Sequence, residues 1–274
     1  MSEAQQELFR PSRRRGQNFL IDRGIQQRIA ASAALPPGTT VVEIGAGAGN
    51  LTEALLGHDL DVVAIEVEPI LITRLREKFR DHDRVRIVAG DARQIQMREV
   101  AGGPFHVVAN LPYSVGTRLI VDLIRAQDPP RSMTVLLQRE VAHRICAKPG
   151  DMALLSVIVQ SYADARCLFD VAPTAFRPVP KVTSTLLRIN PHRTSLTDIA
   201  HVEQRISIAR HGFAQTRKKL RNSLAAGTGL PVAAVGETLT RSGIDPGRRP
   251  QTLSLDEWSV VAKALAMKPE IAPV

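Results

Sequence analysis

The residues of this sequence with the most chemical potential are Asn110-Leu111-Pro112-Tyr113, which directly follow the short apolar run 105–109. They place a carboxamide, a main-chain carbonyl next to an imino acid and an aromatic ring at the end of one predicted strand. This set suits a planar amine such as the exocyclic nitrogen of adenine, because two oxygens accept its protons and a ring stacks on its face. The same residues are also typical of a Pro-containing turn that closes a buried strand, with Tyr113 packing at its rim.

Alternating strands and helices must position this tetrapeptide. Between about residues 24 and 190, short runs rich in β-branched residues alternate with segments of helical period, which predicts an α/β fold with a doubly wound, mainly parallel sheet. The predicted strands are 40–44, 62–65, 85–88, 106–109, 134–137, 166–169 and 184–189, and the predicted helices are 51–56, 70–79, 94–100 and 117–126. We expect the last two strands, joined by the Pro-rich stretch 173–180, to pair as an antiparallel hairpin at one edge.

The character of the sequence changes after Asn190. Residues 192–198 are polar, and beyond them no strand signal appears. Apolar residues instead recur at helical spacing in 202–213, 220–224, 232–239 and 255–265. We therefore predict two domains: residues 1–190 form the α/β domain with a basic N-terminal arm, and residues 191–274 form a small helical domain.

A glycine-rich turn follows the first strand of the predicted sheet. In Glu43-Ile44-Gly45-Ala46-Gly47-Ala48-Gly49-Asn50 the glycine spacing is G-x-G-x-G, and Asn50 stands where a dinucleotide fingerprint would have its third glycine. Glycines at such a turn let a ligand approach main-chain N–H groups closely. The spacing matches the S-adenosylmethionine loop of Rossmann-like methyltransferases better than a nicotinamide-dinucleotide loop.

Carboxylates follow the next two strands. Glu66 ends the second strand and can accept hydrogen bonds from ribose hydroxyls, while Asp91, in Gly90-Asp91-Ala92, can accept one from an adenine amine. A single acid at such a place is more often a helix N-cap or a solvated strand end. Because the carboxyl ends of parallel strands meet at one edge of a sheet, the two acids, the glycine turn and Asn110 together predict one ligand site.

The charge of the chain indicates a polyanionic partner. The formal net charge is +9, which by itself favours nucleic acid only modestly. Basic residues are concentrated in the ranges 10–28, 217–221 and 241–249, whereas the centre is more balanced. Two basic ends predict phosphate-binding flanks on a catalytic body. A solvated helix face explains 217–221 equally well when that cluster is judged alone.

Composition excludes other classes. No apolar run reaches the roughly 18–20 residues of a membrane span, and residues 1–10 lack the apolar segment of a secretory signal. Cys146 and Cys167 lack metal-binding spacing and are expected to be reduced core residues. We therefore expect a cytoplasmic protein with no structural metal.

These motifs resemble the ribosomal RNA adenine dimethyltransferase family, in its small-subunit (16S) branch. The resemblance covers nearly the whole chain and rests on residues 16–20, 43–52, 90–92, 110–113, 176–184 and 217–222. It implies a Rossmann-like class I methyltransferase sheet with a small C-terminal helical domain, and S-adenosyl-L-methionine as the cofactor. The implied reaction methylates N6 of two adjacent adenosines of 16S ribosomal RNA to N6,N6-dimethyladenosine during ribosome biogenesis. The expected partner is the small ribosomal subunit RNA of an assembly intermediate, bound by a monomer that does not associate with membranes.

The residues and the resemblance together assign individual roles. The expected catalytic residues are Asn110, Leu111, Pro112, Tyr113 and Phe176, with Phe176 as a second aromatic wall of the target-base pocket facing Tyr113. The expected cofactor-binding residues are Asn18, Leu20, Gly45, Gly47, Glu66, Asp91, Ala92 and Asn110. The expected RNA-binding residues are Arg13, Arg14, Arg15, Arg217, Lys218, Lys219, Arg221 and Arg248.

Departures from the family pattern concern the substrate more than the reaction. Leu111 favours the small-subunit branch, because the macrolide-resistance branch, which modifies large-subunit RNA, more often has Ile there. The run 114–118 replaces a polar run that usually ends in Pro, so we expect a differently shaped loop beside the base pocket. The alternatives are a large-subunit ribosomal RNA or DNA adenine methyltransferase, a non-catalytic RNA-binding assembly factor and a nicotinamide oxidoreductase, the last disfavoured by the glycine spacing.

Overall fold

The computed structural model describes residues 18–192 and 196–266. The chain divides into two compact units, an α/β unit of residues 1–142 and 165–191 and a helical unit of residues 143–164 and 192–274. The second segment of the helical unit begins at residue 192, next to the predicted domain boundary at residue 191. The segment 143–164 departs from the prediction, because its residues Met152 and Val157 are buried in the core of the helical unit.

Nine strands are present in the described part of the chain. A short ribbon pairs β1 (Phe19–Leu20) with β8 (Phe176–Arg177). The main sheet contains β2 (Thr40–Ile44), β3 (Asp61–Glu66), β4 (Val85–Ala89), β5 (His106–Asn110), β6 (Met133–Gln138), β7 (Ala163–Val171) and β9 (Ser184–Pro191). Its strand order is β4-β3-β2-β5-β6-β9-β7. The predicted neighbours β7 and β9 do lie side by side at one edge, although the ribbon strand β8 interrupts their connection.

Parallel pairing determines where the strands end. Strand β2 pairs in parallel with both β3 and β5, β3 pairs with β4, and β5 pairs with β6, whereas β9 runs antiparallel to β6. The central strands are apolar and fully buried, as in Val41, Val42, Val107 and Val108, which fits a sheet covered on both faces. The residues that follow β2, β3, β4 and β5 therefore emerge at the same edge.

The helices of the described residues agree with most of the predicted helical segments. They are α1 (Arg23–Ser32), α2 (Asn50–Leu56), α3 (Pro69–Lys78), α4 (Met97–Ala101), α5 (Gly116–Arg125), α6 (Arg139–Ile145), α7 (Leu154–Tyr162), α8 (Leu196–Phe213), α9 (Leu220–Thr228), α10 (Val232–Arg241) and α11 (Leu255–Ala266). Helices α1, α6 and α7 were not predicted, and α7 is so apolar and β-branched that its periodicity alone does not separate a helix from a strand. Within the described ranges, no helix is long and apolar enough to cross a bilayer.

The cysteines differ from the expectation. Neither is in a disulfide, but Cys146 is half-buried and Cys167 is exposed, so their assignment to the core is wrong. Cys167 lies on β7, the last strand in the sheet order, where side chains have fewer neighbours to cover them.

Candidate active site

A cavity of about 490 Å³ opens at the carboxyl ends of the parallel strands of the α/β unit. The predicted residues that line it are Asn18, Gly45, Gly47, Glu66, Asp91, Ala92, Asn110, Leu111, Pro112 and Tyr113. They follow or end β2, β3, β4 and β5, with Asn18 preceding β1. The fold therefore brings together residues that are up to 95 positions apart, from Asn18 to Tyr113.

Asn110 is held by the segment that precedes β1. Its Nδ2 donates a hydrogen bond of 2.9 Å to the carbonyl of Asn18. Because a carbonyl can only accept, this bond fixes which end of the carboxamide faces Asn18 and leaves Oδ1 as an acceptor. Among the residues that the structure describes, no donor reaches Asn110 Oδ1 or the Leu111 carbonyl.

The residues after Asn110 form a fixed turn. The Leu111 amide donates to the Leu136 carbonyl at 3.3 Å, and the Pro112 carbonyl accepts from the amides of Val115 and Gly116 at 3.1 and 2.8 Å. The first residue of α5, Gly116, packs closely here, since a Cβ on it would lie 3.1 Å from the Leu111 Cβ. The run 114–118, which departs from the family pattern, therefore contains the start of α5, shortly after the tetrapeptide.

The ring of Tyr113 is anchored from the antiparallel strand. Its hydroxyl shares a hydrogen bond of 2.5 Å with the Ser184 hydroxyl, and Ser184 is fully buried at the start of β9. Burial raises the pKa of the Tyr113 phenol, although the bond to Ser184 acts in the opposite direction. Ser184 was not singled out from the sequence; only its place at the end of the segment 176–184 indicated it.

Phe176 does not line the cavity, contrary to the expectation of a second aromatic wall. It is fully buried, pairs with Leu20 across the short ribbon, and belongs to the same apolar core as Ala175. A large apolar ring gains more from a dry core than from a cavity wall. The aromatic side chains at the cavity are those of Phe19 and Tyr113.

Leu20 is likewise absent from the cavity lining. Its side chain is buried, and its carbonyl accepts hydrogen bonds from Gln26 Nε2 at 2.9 Å and from Asn50 Nδ2 at 3.2 Å. The predicted contact between the Leu20 backbone and the cofactor is therefore not supported. Leu20 instead ties the N-terminal segment to the glycine-rich turn.

The glycine-rich turn is tightly enclosed. Gly47 and Gly49 have φ angles of +58° and +76°, in the left-handed region that favours glycine. A Cβ on Gly47 would lie 2.9 Å from the Phe19 ring, and one on Gly49 would lie 2.6 Å from the Phe79 ring. Gly47 and Gly49 therefore have no room for a side chain, and Gly45 and Gly47 present only main chain to the cavity.

Glu66 is already engaged by main-chain amides. Its Oε1 accepts from Val67 at 2.8 Å and Glu68 at 3.0 Å, and its Oε2 accepts from Gly47 at 2.9 Å. Since a carboxylate has about four acceptor positions, roughly one remains, on Oε2. Burial raises the pKa of Glu66, and the bonds from Gly47 and Val67 act against that rise.

Asp91 is also engaged, by a residue that the sequence did not single out. Arg93 Nε lies 3.0 Å from Oδ1, and Arg93 Nη2 lies 2.5 Å from Oδ2. The Arg93 amide donates to Oδ1 at 2.9 Å. These bonds from Arg93 lower the pKa of Asp91. Its position two residues after a candidate acid was the available sequence signal.

Glu43 lies buried beside the turn. Thr52 Oγ1 donates to its Oε2 at 2.5 Å. Burial raises the pKa of the Glu43 carboxyl to about 8; the nearby Glu66 adds to this rise, while the bond from Thr52 and the charge of Lys78 oppose it. Glu43 therefore holds a proton at neutral pH and supports the turn as a neutral group.

The candidate RNA-binding residues separate into distinct groups. Arg13, Arg14 and Arg15 lie outside the described residues. In the helical unit, the side chains of Arg217, Lys218 and Lys219 are exposed, and Arg221 is half-buried.

Arg248 is occupied within the helical unit, so it does not fit the expected RNA contact. Its guanidinium binds both carboxylate oxygens of Glu257, and it also donates to the Thr252 carbonyl at 2.6 Å and to Thr252 Oγ1 at 3.1 Å. Its neighbour Arg249 is exposed. One position along the loop thus separates a structural arginine from an accessible one.

The parallel sheet, the glycine-rich turn and the cavity at the strand ends define a class I, Rossmann-like methyltransferase. The family model described as ribosomal RNA adenine dimethylase matches residues 9–266. The chain belongs to this family, which confirms the resemblance seen in its motifs.

Individual relatives agree with this assignment. The ribosomal RNA small subunit methyltransferase A of Methylococcus capsulatus is 40% identical over 259 residues, which cover 93% of this chain and 98% of that protein. The protein of the same name from Dehalococcoides mccartyi is 38% identical over 257 residues, covering 93% and 88%. The crystal structure of the 23S rRNA methyltransferase ErmE has a TM-score of 0.73 at 28% identity, and the match covers 91% of this chain and 100% of that one.

S-adenosyl-L-methionine is the methyl donor of this enzyme. The cavity has a volume suited to a ligand of that size. The bare main chain of the glycine turn, the remaining acceptor of Glu66 and the apolar side chains of Ile65, Val67 and Leu71 also fit such a ligand. The residues present are therefore compatible with the cofactor.

We expect Glu43→Gln to remove an alkaline sensitivity of the fold. Because the folded-state pKa of about 8 lies above the ordinary value of 4.5, this carboxyl's contribution to stability is fully present below pH 4.5. It is lost as pH rises through about 8, at a cost on the order of a few kcal/mol. Glutamine does not titrate and still accepts from Thr52. Thermal unfolding midpoints between about pH 5 and pH 9 should fall more steeply for the wild type than for the variant.

The matched control for this measurement is Glu53→Gln, the same chemical change at an exposed position of α2. Its unfolding midpoints should follow the wild-type pH dependence. Parallel curves for Glu43→Gln and the wild type would contradict the protonated state of Glu43.

Proposed function

We propose that this protein transfers methyl groups from S-adenosyl-L-methionine to N6 of two adjacent adenosines in 16S ribosomal RNA, giving N6,N6-dimethyladenosine during ribosome biogenesis. The observation that carries the proposal is the pair of acceptors, Asn110 Oδ1 and the Leu111 carbonyl, beside the anchored Tyr113 ring. Small-subunit RNA as the substrate is supported by relatives named for that activity.

The residues act on adenine mainly by position. The N6 lone pair is delocalised into the ring, so N6 attacks poorly in its planar form. Hydrogen bonds from N6 to Asn110 Oδ1 and the Leu111 carbonyl favour a pyramidal nitrogen, and Tyr113 stacks on the base. The cofactor supplies an electrophilic methyl group on its sulfonium. Positioning and electrostatics then account for the rate, with no general base required, since the N6 proton can leave after transfer.

The hydrogen bond to Asn18 has a part in this arrangement. A half-turn of the Asn110 carboxamide would exchange Oδ1 for the amide NH2 group. It would place a donor where N6 needs an acceptor. The Asn18 carbonyl, 2.9 Å from Nδ2, opposes that rotation. Asn18 therefore orients the catalytic amide.

The cofactor is proposed to lie along the strand ends. The turn at Gly45 and Gly47 accommodates the methionine portion, the remaining acceptor of Glu66 takes a ribose hydroxyl, and Asp91 with Ala92 borders the adenine. Glu66 has roughly one free acceptor position instead of two, so one ribose hydroxyl is bound there.

The second methylation is compatible with the same acceptors. A monomethylated N6 has a single proton, so one of the two oxygens is sufficient to hold it. We propose that the enzyme acts as a monomer on an assembly intermediate of the small subunit, in which the target adenosines are accessible. Their extrusion from a stack costs a few kcal/mol, and less in a loop.

Phosphate contacts in the helical unit are proposed to offset that cost. The Leu220 amide donates to the Arg248 carbonyl at 2.7 Å, so the segment 217–220 lies against the loop that contains Arg249. The exposed cations of this basic surface are Arg217, Lys218, Lys219 and Arg249. Arg13, Arg14 and Arg15 are proposed to contribute from the N-terminal arm.

The substrate is tested with labelled S-adenosyl-L-methionine. Purified protein is given unmethylated small subunits, large subunits and the corresponding naked RNAs, and the labelled nucleotides are mapped by mass spectrometry. We expect N6,N6-dimethyladenosine at adjacent positions in small-subunit RNA only. Label in large-subunit RNA would mean that the protein is a large-subunit ribosomal RNA methyltransferase. Cofactor binding without label would favour a non-catalytic assembly factor.

Asn110→Ala should lower the rate of methyl transfer by about 10²–10³-fold, as for loss of one pre-organised polar group in other active sites. The unfolding midpoint should change little. Asn50→Ala is the matched control, because Asn50 also tethers the N-terminal segment, through a 3.2 Å bond to Leu20, but does not line the cavity. Equal losses in single-turnover rate for both variants would mean that Asn110 only holds the N-terminal segment and has no catalytic role.

Replacing Arg217, Lys218 and Lys219 by glutamine should weaken RNA binding and reduce its salt dependence. Each lost phosphate contact lowers the slope of log K against log salt by roughly 0.7–0.9. The control variant replaces Arg80, Arg84 and Arg98, which are surface cations in ion pairs of the α/β unit. Filter binding over a salt series should separate the two variants. Equal slopes would mean that net charge, and not the basic surface, determines affinity.

A further inference from the structure

Arg93 lies at the adenine end of the proposed cofactor site and has no role in the chemistry described above. Its guanidinium contacts both oxygens of Asp91, with Nε at 3.0 and 3.1 Å and Nη2 at 2.5 Å. Two parallel N–H···O contacts give such a pair a defined geometry. Both carboxylate oxygens are thus oriented by an arginine.

This contact limits the task proposed for Asp91. The Arg93 amide, Nε and Nη2 donate to its carboxylate, so of about four acceptor positions roughly one remains for an adenine amine. The guanidinium contacts both oxygens and therefore competes with the amine for the carboxylate. The competition is local, because Asp91 and Arg93 both line the cavity.

Arg93 can leave Asp91 at little cost. Its side chain is 53% exposed, compared with 26% for Asp91, so water replaces the lost contact on the arginine side. Arg93 also borders a second cavity of about 340 Å³, next to the first, whose lining includes Glu99 and Asp122. Glu99, solvent and Asp122, which also pairs with Arg118, therefore lie near a displaced guanidinium, so it is not left buried without a partner.

We propose that Arg93 is a positioning residue of the cofactor site, which orients the Asp91 carboxylate and competes with an adenine amine for its oxygens. Arg93 thereby reduces the advantage of ligands that have this amine over ligands that lack it. The inference rests on the proposed assignment of Asp91 to the adenine.

The probes are S-adenosyl-L-homocysteine and its deamino analogue, in which hydrogen replaces the 6-amine of the purine. Calorimetry gives the ratio of their dissociation constants, deamino over adenosyl. In Arg93→Leu the adenosyl ligand should bind about two- to five-fold more tightly. This factor corresponds to the contribution of one exposed ion pair, which the ligand no longer has to compete with. The deamino ligand should bind no more tightly than before, because it has no donor on that edge of the ring to gain from a freed carboxylate. The ratio therefore rises.

Salt provides a second, independent readout. Raising the ionic strength screens the exposed pair of Arg93 and Asp91, so the wild-type ratio should increase toward that of Arg93→Leu. The ratio of the variant itself should stay constant. A change in folding alone would alter both affinities together and leave the ratio unaffected.

Two further variants make the test specific. Arg98→Leu removes the same charge from an arginine of similar exposure, 51%, that borders only the second cavity and pairs with Asp128. Its ratio should equal that of the wild type. Asp91→Ala should lower the ratio. If Arg93→Leu leaves the ratio unchanged while Asp91→Ala lowers it, the role of Arg93 is wrong and the adenine assignment stands.

Asp91→Ala is made both in the wild type and in Arg93→Leu. If it lowers the ratio of dissociation constants in neither, the adenine assignment fails and the role of Arg93 fails with it. Neither result concerns the RNA substrate, which the labelling of ribosomal subunits tests separately. Failure of the proposed function and failure of this inference are therefore distinguishable.

Discussion

The parallel pairing of β2 with both β3 and β5 is the constraint on which the site depends. Parallel strands in register must end at the same edge, so the residues after β2, β3, β4 and β5 converge there whatever their side chains are. The antiparallel strand β9 then approaches β6 from the other direction and places Ser184 against Tyr113. The cavity is therefore a consequence of backbone pairing, and its chemistry depends on the few residues that stand at the edge.

Hydrogen-bond satisfaction divides those residues into two kinds. Glu66 and Asp91 are largely engaged, the first by main-chain amides and the second by Arg93. By contrast, no donor among the described residues reaches Asn110 Oδ1 or the Leu111 carbonyl. Unsatisfied acceptors in a partly buried site favour a ligand that brings donors. This difference is consistent with two ligands. The cofactor uses the few acceptor positions that remain on Glu66 and Asp91, and the target amine uses Asn110 Oδ1 and the Leu111 carbonyl.

Burial separates structural residues from functional ones of the same type. Phe176 and Tyr113 are both aromatic and both lie in family-specific segments, yet Phe176 is enclosed by the core while Tyr113 retains a face at the cavity. Arg248 and Arg249 differ in the same way, since one binds Glu257 and the other is exposed. In each pair the side-chain type indicates a capacity, and only packing determines whether it is available.

The strands of the main sheet, the glycine turn, the acids at the strand ends and the tetrapeptide were all predictable, because local periodicity and motif spacing encode them. From these, the convergence of Gly45, Glu66, Asp91 and Asn110 could be predicted. Three features became visible only in the folded chain: Phe176 and Leu20 are buried, the segment 143–164 joins the helical unit, and Arg93 binds the Asp91 carboxylate. Burial and side-chain partners arise from contacts between distant or freely rotating groups, and no periodicity in the sequence records them.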